Sequence, residues 1–198
     1  MVSTRFADKA RSRLGFIGKF VARTGLTPNR LTAIGLLLNV FVAAVIASGN
    51  LILGGFLVVA GGLFDVVDGA VARETQRTSR FGGFFDATID RYSEAVIFAG
   101  LLVHFTRTGA GSDAILLTYA VIVGSLMISY TRARAETIGL RGDVGIAQRF
   151  ERVAILALAL AFNQPVWGLW ILAILSHVTV LQRIWHVWKH GEPTTHGK

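Results

Sequence analysis

Four aspartates stand where a chain this apolar should not have them. Asp65 and Asp68 are three residues apart in one strongly hydrophobic stretch, and Asp86 and Asp90 are four apart in the next. Either spacing puts a pair of carboxylates on one face of a helix. An ionised carboxylate at membrane depth costs about 3 kcal/mol or more, so such groups are kept where they do something. Only a short polar segment joins the two stretches, which makes their helices neighbours and lets the four carboxylates converge. Four negative charges together repel unless they are protonated or neutralised. Two divalent cations would balance them. Oxygen donors in a chain with no Cys favour Mg²⁺ or Mn²⁺ over Zn²⁺. Paired ions of this kind suit phosphoryl chemistry. A proton relay or a carboxylate-lined cation path would use the same residues, and the spacing alone leaves both open.

The neighbouring residues favour a phosphate ligand. Gly69 follows Asp68, and Gly82 lies one turn before Asp86. A glycine on a carboxylate face lets a substrate come close to the backbone; it also suits the packing of one helix on another. Ala72 and Arg73 continue the Asp65 face. Arg73 can hold a phosphate through two parallel hydrogen bonds, or it can simply anchor a helix end at the membrane surface.

These residues need helices that cross a bilayer. The chain has 198 residues, of which 53% are hydrophobic, too many for an ordinary soluble domain. A helix needs roughly twenty apolar residues to cross the hydrocarbon core. Six stretches qualify, at 31–48, 51–72, 83–105, 115–133, 153–162 with its flanks from about Arg149, and 166–188. The N-terminal stretch and the connections at 74–81 and 134–152 are basic, whereas the intervening loops carry only Arg107. The positive-inside rule therefore predicts cytoplasmic termini, with the active site facing the cytoplasm of a multi-pass cell-membrane protein. Ahead of the first span, Phe6, Ala10, Leu14, Ile17 and Val21 recur at helical steps among basic residues. This predicts an amphipathic interfacial helix over 1–25. The expected fold is an all-α integral membrane protein of six transmembrane helices (26–190) plus that helix, ending in a polar tail at 191–198. The net charge of +8 fits anionic headgroups or phosphorylated substrates, with no nucleic acid partner.

The run Asp65-x2-Asp68-Gly69-x2-Ala72-Arg73-x8-Gly82-x3-Asp86-x3-Asp90 resembles, in every fixed position and gap, the signature of the CDP-alcohol phosphotransferase family. Eight fixed residues over twenty-six positions make a specific match. The six-span layout and the amphipathic start also look like that family. The resemblance implies transfer of a phosphatidyl group from CDP-diacylglycerol to an alcohol, with release of CMP. It implies that Asp65, Asp68, Asp86 and Asp90 hold two metal ions per active site and that Asp90 is also the general base. Asp68, Gly69, Ala72, Arg73 and Gly82 would line the CDP site. Asn29 and Thr32, in the segment Thr27–Pro28–Asn29 with Leu31–Thr32, resemble the family's motif before the first span and would lie near the cytidine. An ordinary N-terminal helix cap explains those two equally well. A homodimer is implied by the resemblance alone.

A second basic cluster concerns the acceptor. Arg132 and Arg134 end the fourth span, Arg141, Arg149 and Arg152 follow, and Arg183 lies in the last span, five residues before Trp188. Flanking charge accounts for such residues by default. Arg183, however, lies deeper than a flank requires, and a buried Arg needs an anion. The stretches Ser129–Glu136, Gly139–Asp143 and Arg149–Arg152, with Gln182–Arg183, are similar to the family's prokaryotic branch that makes phosphatidylinositol phosphate. That similarity implies that Ser129, Arg132, Arg134, Arg149 and Arg183 bind the phosphate of inositol 1-phosphate. Arg132 stands where that branch often has Lys, and Phe150 where it commonly has Pro. Glycerol phosphate as acceptor, in a phosphatidylglycerol-phosphate synthase, is the alternative within the family. A carboxylate-based ion or proton transporter and a non-catalytic scaffold are the alternatives outside it.

Overall fold

The computed structural model describes residues 27–74 and 79–191, except for the side chains of 65–74. The amphipathic helix expected over 1–25 and the tail after Gly191 lie outside the described residues. The described residues are helical, without strands: α1 (Pro28–Ala47), α2 (Leu51–Glu74), α3 (Arg80–Thr108), α4 (Ser112–Thr137), α5 (Arg149–Ala161) and α6 (Pro165–His190). Among the described residues, three helices, α1, α4 and α6, are long and apolar enough to cross a membrane. α2 opens with the apolar run Leu51–Phe64. At ~1.5 Å per residue, the 13 residues of α5 reach only about 20 Å, short of a full crossing.

Helix ends fall where local chemistry stops the backbone. Pro28 opens α1 and Pro165 opens α6, each at a position whose N–H has no intrahelical partner. Ser79 caps α3, its hydroxyl accepting the N–H of Gly82 at 2.9 Å. Four helices then close in the same way. Gly49, Gly109, Gly139 and Asn163 turn to positive φ after α1, α3, α4 and α5. In each case the next residue's N–H bonds back to the carbonyl five before it: Asn50 to Val45, Ala110 to Phe105, Leu140 to Ala135, Gln164 to Ala159. These caps carry the helices past the expected spans, so that 83–105 becomes Arg80–Thr108 and 115–133 becomes Ser112–Thr137.

The chain forms two compact units, divided between Leu101 and Leu102 within α3. In the first, α1 packs on α2, and Ile46, with no exposed surface, lies against Gly54. α3 crosses α1 so closely that a Cβ on Gly100 would sit 2.5 Å from the Ala43 carbonyl oxygen. Gly100→Ala should therefore destabilise the protein by about 1–3 kcal/mol, read as a fall in thermal midpoint in detergent. Gly83→Ala is the control. A Cβ there meets nothing within 4 Å, so helix propensity alone should leave the midpoint level or slightly raised. Equal losses in the two variants would remove the close crossing as the cause.

In the second unit α6 is central and packs on both α4 and α5. A Cβ on Gly124 would lie 2.7 Å from the Ser176 Cβ, and the His177 ring bonds the Ala120 carbonyl at 3.2 Å. Large apolar side chains face outward: Leu37, Phe56, Leu116 and Trp167 are all exposed, as a lipid-facing surface requires. Trp167 and Trp188 stand exposed near opposite ends of α6. They are about 32 Å of helix apart, close to the ~30 Å hydrocarbon thickness that interfacial aromatics bracket.

Candidate active site

The carboxylate residues fall in the first unit. Asp65, Asp68, Gly69, Ala72 and Arg73 all lie on α2, where only the backbone is described. Asp86 and Asp90 sit one turn apart near the start of α3; Asp86 is exposed and Asp90 half-buried. Asp86 Oδ1 accepts a hydrogen bond from Thr32 Oγ1 at 3.3 Å. That hydroxyl also lies 3.2 Å from the Pro28 carbonyl, one turn back in α1. Arg91 Nη2 lies 3.6 Å from Asp90 Oδ2.

The first turn of α1 therefore lies beside the start of α3. A Cβ on Gly82 would meet Ser79 Oγ at 3.0 Å and Asn29 Oδ1 at 3.3 Å. Thr27, not Asn29 or Thr32, occupies the cap position of α1, and it makes no side-chain cap bond. The segment thus opens the helix, and Asn29 and Thr32 also lie against the glycine and a carboxylate of the signature.

The donor set suits a hard divalent cation. Asp86 and Asp90 offer carboxylate oxygens on successive turns without full burial, and the chain has no thiol to compete. Among the described residues no group of three or more His, Cys, Asp or Glu comes together. The third and fourth candidate ligands are Asp65 and Asp68, whose side chains lie outside the description.

The arginine residues fall in the second unit. Arg183 is buried within α6. Its Nε donates to the Val144 carbonyl at 2.7 Å and its Nη1 donates to the Ile128 carbonyl. A guanidinium has five N–H groups, so three remain for a ligand. Arg132, Arg152, Asp143 and Glu136 all act on its charge, which makes a local concentration of three arginines. Arg152, also buried, donates to the Ala147 carbonyl at 3.0 Å. Arg132 is more than half exposed and pairs with Glu136 one turn on, at 2.8 Å. Ser129, half-buried, donates to the Ser125 carbonyl at 3.2 Å. Arg134 is exposed in the last turn of α4, and Arg149 opens α5 half-buried.

Between α4 and α5 the chain folds back onto both α4 and α6. Gly142 lies against the Arg132 backbone, where a Cβ would come within 2.6 Å of the carbonyl oxygen. Ala147 N–H donates to Thr179 Oγ1 at 2.9 Å, and Ile146 N–H to Gln182 Oε1 at 3.2 Å. On the exposed side Arg141 grips Asp143 with two bonds, of 3.2 and 2.9 Å. The hydrogen bond from Arg141 holds the Asp143 carboxyl below its ordinary range and raises Arg141 in return. Sequence reasoning missed Thr179 and gave Gln182 no role. The available signal was a polar run, Ser176, His177, Thr179, Gln182 and Arg183, within eight positions of a largely apolar helix.

Comparison with known proteins matches residues 25–185 to the family model for CDP-alcohol phosphatidyltransferases. The chain is 38% identical over 190 residues to the archaetidylinositol phosphate synthase of Pyrococcus horikoshii, covering 96% of this chain and 98% of that protein. It is 37% identical over 182 residues to the phosphatidylinositol phosphate synthase of Mycobacterium tuberculosis, covering 87% and 84%. A crystal structure of the Mycobacterium tuberculosis enzyme with CDP-DAG bound superposes with a TM-score of 0.83 at 34% identity, over 93% of this chain and 97% of that one. The same enzyme in complex with manganese and citrate gives a TM-score of 0.80 at 34% identity, over 93% and 92%.

Proposed function

This chain belongs to the CDP-alcohol phosphatidyltransferase family, and we propose that it transfers a phosphatidyl group from CDP-diacylglycerol to inositol 1-phosphate, giving phosphatidylinositol phosphate and CMP. The observation that carries the acceptor is Arg183, a buried guanidinium with three spare donors in the field of Arg132 and Arg152. An acceptor bearing its own phosphate gives that charge an occupant. The names of the relatives support the same choice, since the archaeal and mycobacterial enzymes differ in lipid and share inositol phosphate.

In this reading an inositol hydroxyl oxygen bonds to the lipid-side phosphorus of the pyrophosphate. The bond from that phosphorus to the bridging oxygen breaks, and CMP leaves with that oxygen. The hydroxyl proton passes to the Asp90 carboxylate. Two divalent ions, Mg²⁺ or Mn²⁺, held by Asp65, Asp68, Asp86 and Asp90, would offset the pyrophosphate charge when bound. Asn29, Thr32, Asp68, Gly69, Ala72, Arg73 and Gly82 hold the CDP part. The placing of Asn29 by Gly82 and Thr32 by Asp86 supports that assignment. Ser129, Arg132, Arg134, Arg149 and Arg183 hold the acceptor phosphate. The setting is a six-span homodimer in the cell membrane, with membrane domain 26–190 and its site on the cytoplasmic side.

Acceptor competition tests this. Reconstituted protein receives CDP-diacylglycerol, Mg²⁺ and an equal mixture of inositol 1-phosphate, free inositol, glycerol 3-phosphate and serine. Inositol 1-phosphate should be the acceptor consumed, with equimolar CMP, and EDTA should stop the reaction until Mg²⁺ or Mn²⁺ is restored. Preferential use of glycerol 3-phosphate would overturn the acceptor. Ion flux across vesicles without CMP release would overturn the reaction.

A further inference from the structure

The basic cluster has a support that the transfer chemistry leaves unexplained. Arg183 and Arg152 are aimed by backbone carbonyls, and two of those, Val144 and Ala147, belong to the loop between α4 and α5. A loop aims a side chain only as well as it is itself held. This one is held by α6. Thr179 Oγ1 gives its proton to the Leu175 carbonyl at 2.8 Å, so its lone pairs are turned to the Ala147 N–H at 2.9 Å. Both partners are fully buried, which makes the bond hard to replace by water. Gln182 Oε1 takes the neighbouring Ile146 N–H at 3.2 Å. Gly145 runs at φ +121° flush against the Thr179 methyl, leaving no room for a Cβ.

We propose that Thr179 and Gln182 are positioning residues for the acceptor: they fix the 144–147 backbone, whose carbonyls hold Arg152 and set the direction in which Arg183 presents its remaining N–H groups. Thr179 lies one helical turn before Arg183, so a single stretch of α6 supplies both the guanidinium and the anchor of the loop that orients it. Within the loop, Gln148 Nε2 adds a bond to the Asp143 carbonyl at 2.8 Å. The loop's apolar contribution is Ala147, packed with Ile128, Val180 and Leu175. The α4–α6 pair is held separately, through Gly124 against Ser176 and His177 against Ala120. Loss of the Thr179 bond therefore loosens the loop and leaves the helices in place. The inference rests on the reading of the arginine cluster as the acceptor site.

Thr179→Val keeps the shape of the side chain and removes the acceptor of the Ala147 N–H. In the full-length protein in lipid nanodiscs it should raise KM for inositol 1-phosphate about tenfold while KM for CDP-diacylglycerol stays within about twofold. Thr179→Ser, which restores the hydroxyl, should return the acceptor KM to within about twofold of wild type. Hydrogen exchange at Ile146 and Ala147 should quicken in Thr179→Val and recover in Thr179→Ser, with the thermal midpoint close to wild type. Equal rises in both KM values, an unchanged acceptor KM, or no rescue by Ser would overturn the positioning role. If the wild type prefers glycerol 3-phosphate, the acceptor reading fails, and the same split measured with glycerol 3-phosphate decides the positioning role. If the wild type releases no CMP with any acceptor, the functional reading fails, and unchanged exchange at Ile146 and Ala147 in Thr179→Val overturns this one.

Discussion

Asp90→Asn protein, supplied with both substrates and Mg²⁺, should release CMP at least about a thousandfold more slowly than wild type. The substitution keeps the shape of the side chain and removes its charge. Asn cannot take a hydroxyl proton, and it is a poorer ligand for a hard cation. Asp90 is half-buried on α3, one turn from Asp86 and 3.6 Å from Arg91, so the fold should survive and the thermal midpoint should move little. The two roles given to Asp90 separate in a metal titration. A lost ligand is compensated by excess Mn²⁺, whereas a lost base is not. Activity restored to within about tenfold at saturating Mn²⁺ would leave Asp90 as ligand and remove it as base.

Arg183→Ala should raise KM for inositol 1-phosphate about a hundredfold, with a much smaller change for CDP-diacylglycerol. It should also lower the thermal midpoint. The Ile128 and Val144 carbonyls lose their buried donor, at about 1–3 kcal/mol for each group left unsatisfied. Arg183→Lys separates charge from geometry. An ammonium keeps the positive charge, but it is a point donor without the planar fork that reaches two carbonyls and a phosphate together. It should recover part of the stability and little of the acceptor affinity. Equal changes in the KM of both substrates would argue against the acceptor role for Arg183.

The sequence was informative where the physics is local. Apolar runs located the helices, because crossing a bilayer requires unbroken hydrophobicity. The turns at Gly49 and Asn163 were legible because a positive φ selects few residue types. The Asp spacing was legible because it follows helical periodicity, and family membership then decides for the transferase over a transporter or scaffold. Boundaries moved outward by a few residues, since Pro28 and the Ser79 cap start helices before their apolar part begins. The loop after α4 read only as a basic connection. Its holding bonds join Ala147 to Thr179 and Val144 to Arg183, residues 32 and 39 positions apart, and no local pattern announces such a pairing. For the same reason Arg183 was legible as unusually deep, while the carbonyls that engage it were not.

The shortness of α5 has a consequence for the bilayer itself. Its 13 residues span about 20 Å of helix, against ~30 Å of hydrocarbon. With the Asn163 turn at one membrane surface, Arg149 then lies several ångströms below the other. Either the bilayer thins around α5 or water follows the arginine inward. In both cases a phosphate from solution descends to meet Arg149. Membrane thickness thereby becomes a kinetic variable: the same protein, in a thicker bilayer, faces a longer descent for its acceptor.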